Sequence, residues 1–181
     1  MIQAIPPGDA WNPPAWSISV EFGAYLVFPV LALVLVRLRN PRVAFAAAAV
    51  VVVLAAIVFA EVASKPRLPG YTFAWCRIAL EFTIGCLLYR GWALLKHPRS
   101  KAMDLVVLVG LSMLFISIWT QPVRTMFNPG LTIAGISFII IGCAGATGLA
   151  ASFLGSRVMT WGGRISYSVY MTHFLIATVL G

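Results

Sequence analysis

WSISVEFGAYLVFP, Trp16 to Pro29, is an apolar run with one carboxylate, Glu21, set inside it. Asn12, Pro13 and Pro14 stand just before it. Asn is a good helix N-cap and Pro is tolerated in the first turn, so the sequence predicts a helix starting near Pro13. At about 1.5 Å per residue, Glu21 then lies roughly 12 Å into that helix. Ser17, Glu21, Tyr25 and Phe28 fall on one helical face. Pro29 lacks an N–H and frees the carbonyl of Tyr25. A carboxylate, a phenol and a freed carbonyl on one face of an apolar helix are expected to point at protein or a wet cavity, since lipid satisfies none of them.

Working outward, the composition fits a membrane setting. Of 181 residues, 61% are hydrophobic and 10% charged, whereas a soluble domain carries about 25% charged residues. The length suits one bundle. The net charge of +8 would fit a nucleic-acid binder, but the basic residues cluster in short loops between apolar runs, which is how topology determinants are placed, and no nucleic-acid partner is expected. Cys76, Cys86 and Cys143 show no metal-ligand or redox spacing and read as packing residues. No metal-binding cluster and no glycine-rich phosphate loop is present. The start Met1-Ile2-Gln3 shows no basic region followed by an apolar one, so no cleavable signal peptide is expected.

Six spans of bilayer length are predicted, hence an all-α polytopic membrane helix bundle. They run from Pro13 to Val36, Val43 to Ala60, Phe73 to Leu95, Asp104 to Trp119, Leu131 to Ala151 and Ile165 to Leu180. Arg37, Arg39, Arg42, Arg90, Lys96, Arg99, Lys101, Arg157 and Arg164 are read as loop residues of one side, against Lys65, Arg67, Arg77 and Arg124 on the other. The first side is expected to be cytoplasmic and both chain ends external. Trp11, Trp16, Tyr71 and Trp119 then fall at the outer interface.

Three groups of polar residues lie within the spans. Glu21 is a functional candidate because a carboxylate at the bilayer centre costs a few kcal/mol; the structural alternative is a bond to Tyr25 or a neighbouring backbone. Arg77 and Glu81, four apart, share a face and can pair, either as a packing device or with Arg77 holding an anionic group. Ser166, Tyr170 and His173 form one polar stripe on the last span. His173 is either a hydrogen-bonded packing residue or a participant in proton handling, and no Ser-His-Asp arrangement can be argued from the spacing. Gly142, Gly145 and Gly148 on the fifth span are read as places of close helix approach.

Three stretches together resemble one family. Asn12-Pro13-Pro14-Ala15-Trp16-Ser17-Ile18-Ser19-Val20-Glu21-Phe22, with Tyr25-Leu26 and Phe28-Pro29, is similar to the WSLSVE…YL…FP signature of the acyltransferase 3 family. Arg77…Glu81-Phe82-Thr83-Ile84-Gly85-Cys86-Leu87-Leu88 resembles its R…EFxxGxxL stretch. Gly162-Gly163-Arg164-Ile165-Ser166-Tyr167-Ser168-Val169-Tyr170-Met171-Thr172-His173 resembles its GxISYSxYLxH segment.

The resemblance implies a multi-span enzyme of the bacterial inner membrane. It moves an acyl group, often acetyl, from cytoplasmic acyl-CoA as co-substrate to a hydroxyl of a cell-surface sugar or lipid-linked sugar. No bound cofactor is implied. Glu21 and His173 are then the candidate catalytic residues, and Trp16, Ser17, Tyr25, Arg77, Glu81, Ser166 and Tyr170 the candidate substrate-binding ones. Family members have about ten spans of bilayer length, with a catalytic His and donor-handling basic residues in the first of them. Residues 1–181 match none of that early part, so the sequence reads as a partial acyltransferase domain, expected to be inactive alone. The alternative readings are a transporter or flippase-like module and a non-catalytic remnant. Buried charges, Pro-broken helices and close glycine packing occur in transporters too, but no inverted repeat is visible.

Overall fold

The computed structural model describes residues 16–64, 70–96, 99–120 and 129–180. Among them are seven helices: α1 (Trp16–Leu35), α2 (Pro41–Ser64), α3 (Gly70–Leu94), α4 (Met103–Trp119), α5 (Pro129–Gly145), α6 (Leu149–Leu154) and α7 (Arg157–Leu180). The described residues contain no strand, only an isolated parallel bridge between Ser100 and Ala146. The chain is an all-α bundle of membrane type. Ser17–Leu35 of α1 and Pro41–Glu61 of α2 are long and apolar enough to cross a bilayer, and Met103–Trp119 and Gly130–Gly145 are shorter apolar helices. Leu26, Leu33, Val50, Leu105, Phe115 and Ile140 are exposed. Apolar side chains around the outside suit a bundle whose solvent is lipid.

The core is small and depends on small side chains. Ala48 and Ala55 on one face of α2 are buried and pack with Phe59 against Ile84, Leu87 and Leu88 of α3, with Leu35 of α1 and Ile133 of α5 completing the cluster. Alanine at these positions lets α2 and α3 approach closely, which is how helices gain van der Waals contact when lipid offers no hydrophobic drive. At the α4–α5 crossing, a Cβ added to Gly110 would lie 2.7 Å from the carbonyl oxygen of Gly135. That spacing is open only to glycine. Farther along the same pair, Ser117 is fully buried and its hydroxyl meets that of Thr132 at 2.8 Å.

Long-range polar bonds knit one end of the bundle. Arg90, near the end of α3, donates to the carbonyls of Leu38 (2.7 Å) and Val36 (3.0 Å) just past α1. Those carbonyls follow a helix end and lack intrahelical donors. The N–H of Ser100 bonds the carbonyl of Gly145 at 3.0 Å. The carboxylate of Asp104 accepts from the N–H of Leu149 (2.7 Å) and of Ala150 (3.4 Å). Arg37, Arg39, Lys96, Arg99 and Lys101 sit in the connections of this end.

The last two predicted spans are corrected. The fifth helix ends at Gly145, not Ala151, and Gly148 lies outside any helix, as the residue before α6. The physical reason is the Asp104 carboxylate. It takes the unpaired N–H groups at the start of α6, so the chain gains a second helix start where the apolar run gave no break. The sixth predicted helix begins at Arg157, not Ile165. Ser156 precedes it and accepts from the N–H of Met159 at 3.4 Å. Arg157 and Arg164, read as loop residues, therefore lie on α7 itself, as Arg42 lies on α2 and Arg90 on α3.

Candidate functional site

α1 and α3 cross at Gly23, where an added Cβ would collide with the ring of Trp75. Val20 and Ala74 are buried there, with Trp75 and Ile78 packed around them. The crossing sets the two helices side by side along the rest of α1. Tyr25 and Phe28 both meet Phe82 edge-on, with ring centroids 6.4 Å and 5.9 Å apart. Tyr25 and Glu81 line one groove between the two helices. On α3, Arg77 Nε donates to Glu81 Oε1 at 2.9 Å, with the two side chains 52% and 34% exposed. At such exposure the pair orients its members more than it stabilises the fold.

The polar stripe of α7 reaches α1 through Tyr170. Tyr170 Oη donates to Ser17 Oγ at 3.1 Å, across 153 residues of chain. The ring of His173 lies 5.7 Å from that of Tyr170, and its Nδ1 bonds the Tyr170 carbonyl. A carbonyl only accepts, so Nδ1 carries a proton in this bond, and the neutral tautomer that fits it leaves the lone pair on Nε2. The stripe thus presents a phenol and an imidazole with a defined tautomer. Ser166 spends its hydroxyl proton on the carbonyl of Gly163 at 2.8 Å, a common resting state for helical serine.

The structure therefore brings Ser17, Tyr170 and His173 together, and separately Tyr25, Arg77 and Glu81. Glu21 belongs to neither group: it is exposed, and it has no hydrogen-bond partner among the described residues. The side chain of Trp16, and residues 12–15 before it, lie outside the described residues, as do Trp11, His97, Lys65, Arg67, Arg124 and the side chain of Tyr71. No cluster of three metal-ligating side chains occurs among the described residues, and the three cysteines are free thiols.

Sequence reasoning gave no special role to Arg90 and Asp104, which hold helix ends. Their local signals were a basic residue late in α3 and an acidic residue at the start of α4, but their partners lie 52 and 45 residues away. Spacing along the chain does not reveal such pairs.

The fold and these polar groups define a helical membrane protein with hydroxyl, phenol and imidazole groups gathered between helices far apart in sequence. A family model described as an acyltransferase domain matches residues 3–181, and the chain belongs to the acyltransferase 3 family. The comparison with curated proteins and the comparison with solved structures each find no match.

Proposed function

We propose that this membrane acyltransferase moves an acyl group, often acetyl, from acyl-CoA to a hydroxyl of a surface carbohydrate or lipid-linked sugar, and that this chain builds the acceptor side of the reaction. The observation that carries the reading is the Tyr170–Ser17 hydrogen bond, which joins two stretches that resemble separate signatures of the family. In the transfer, the acceptor oxygen attacks the thioester carbonyl, its proton goes to a base, and the C–S bond breaks as the thiol leaves. Such a step needs proton handling at the hydroxyl and polarisation of the carbonyl. Ser17, Tyr25 and Tyr170 supply hydroxyls that orient a sugar. His173, with Nε2 free, and Glu21, with no protein partner among the described residues, take part in proton handling. Arg77, oriented by Glu81, meets anionic groups. By this reading the protein lies in the bacterial inner membrane with its basic connections in the cytoplasm and its chain ends outside.

Tyr170→Phe tests this most directly. It removes the phenol hydroxyl that donates to Ser17 and keeps the ring. In native membranes holding a full-length family member with this substitution at the matching tyrosine, acyl transfer from labelled acyl-CoA to surface carbohydrate is expected to fall about tenfold or more, equivalent to about 1.4 kcal/mol of barrier, with insertion and abundance unchanged. Full activity of Tyr170→Phe would remove the acceptor-side assignment.

A further inference from the structure

α1 and α3 run in the same direction, and the groove between them has a volume of about 670 Å³, within the range of small-molecule sites. Its α1 wall runs from Tyr25 to Val36 and its α3 wall from Glu81 to Arg90. Eleven helical steps at 1.5 Å make it about 16 Å long. One leaflet of a bilayer's hydrocarbon core is about 15 Å deep. The groove is also open sideways, since Tyr25 is 60% and Tyr89 67% exposed.

The chain just past one end of the groove is strongly basic. Val36 is followed by Arg37, Arg39 and Arg42, all exposed. Arg90 ties this connection to α3 through the carbonyls of Val36 and Leu38. No carboxylate among the described residues pairs with the three cations. Glu81 is taken by Arg77, Asp104 by the start of α6, Glu21 lies toward the other end of α1, and Glu61 stands at the far end of α2.

We infer that the α1–α3 groove is a binding site for an anionic phospholipid of the basic-side leaflet, with one acyl chain along the groove and the phosphate at Arg37, Arg39 and Arg42. A free phosphate compound would use the charges and leave the groove empty. A neutral lipid would use the groove and ignore the charges. A groove one leaflet long, open sideways and basic at one end fits an amphiphile already in the membrane, on the face where anionic lipids concentrate. The groove shares Tyr25 and Glu81 with the proposed acceptor side, but the test reads lipid labelling and not activity, so the two readings fail separately.

Gly85 gives a clean probe, because a Cβ added there meets nothing within 4 Å. Gly85→Leu therefore fills the groove without pressing on a neighbouring helix. The full chain is placed in phosphatidylcholine nanodiscs with a trace of phosphatidylglycerol bearing a diazirine on one acyl chain. Photolysis is expected to label the groove walls, at peptides containing Ala32 or Cys86 to Tyr89. Unlabelled phosphatidylglycerol should compete and phosphatidylcholine should not. Gly85→Leu should lower labelling about fivefold. Arg37→Gln with Arg39→Gln, which leaves helix packing untouched, should lower it to the level of a phosphatidylcholine probe. Equal labelling by the phosphatidylcholine probe, labelling spread evenly over α2 and α4, displacement by long-chain acyl-CoA at lower concentration than by phospholipid, or a dimer across α1 and α3 that shuts out the probe would each overturn the proposal.

Discussion

The carboxylate of Glu21 sits on an apolar helix without a protein partner among the described residues. A charge in that position is costly unless something polar meets it, and in the proposed reaction that is the acceptor or its proton. Glu21→Gln keeps the size and removes the charge. In a full-length family member we expect acyl transfer in native membranes to fall about tenfold or more with normal insertion; unchanged transfer would leave the residue with no role in the reaction. Lys96 offers a test of the backbone alone. It has φ 59°, in the left-handed region, just after α3. Glycine adopts that conformation without the side-chain penalty. Lys96→Gly is therefore expected to raise stability by about 0.5–1 kcal/mol, read as a higher midpoint of thermal unfolding in detergent, while Lys96→Ile should lower it.

At the scale of helices, the α4–α5 pair depends on glycine. A side chain at Gly110 begins 2.7 Å from a backbone oxygen of α5, and backbone cannot move aside as a flexible side chain can. Gly110→Leu should force the helices apart and cost about 1–3 kcal/mol or more, as overpacked cores do. A thermal midpoint equal to that of the native protein would show that the crossing is not this tight. The short α6 depends on a single carboxylate. Asp104→Ala removes the acceptor for Leu149 and Ala150, and losing a cap of this kind costs about 1 kcal/mol. Faster amide exchange confined to Leu149 and Ala150 is the expected signature. The sequence marked α4 to within a residue of its observed bounds, because its apolar run is flanked by polar residues. It overran α5, because the run continues through Gly145 and the break depends on a carboxylate 45 residues away.

For the whole molecule, the alternation of helices and the bonds of Arg90, Ser100 and Asp104 gather the connections after α1, α3 and α5 at one end. Arg37, Arg39, Lys96, Arg99 and Lys101 of the basic set counted from sequence lie in these connections, whereas Arg42, Arg90, Arg157 and Arg164 belong to helices α2, α3 and α7. Single cysteines near Arg39, Arg99 and Arg157 should react with impermeant reagents only from the cytoplasmic face, and cysteines near Lys65 and Arg124 only from outside. The reverse pattern at two of these loops would invert the proposed orientation.

Helix content and membrane class follow from the sequence alone, because both rest on local quantities: runs of apolar residues near bilayer length and few charges. The candidate polar residues were legible for the same reason, since a charge or phenol inside an apolar run stands out without knowledge of its neighbours. Which of them meet was settled by tertiary structure. Tyr170 reaches Ser17 because α7 returns to the start of α1, and Glu81 shares a groove with Tyr25 because the close crossing of α1 and α3 at Gly23 and Trp75 fixes which of their faces oppose one another. Those contacts depend on rotation and distance between whole helices, which no spacing along the chain encodes.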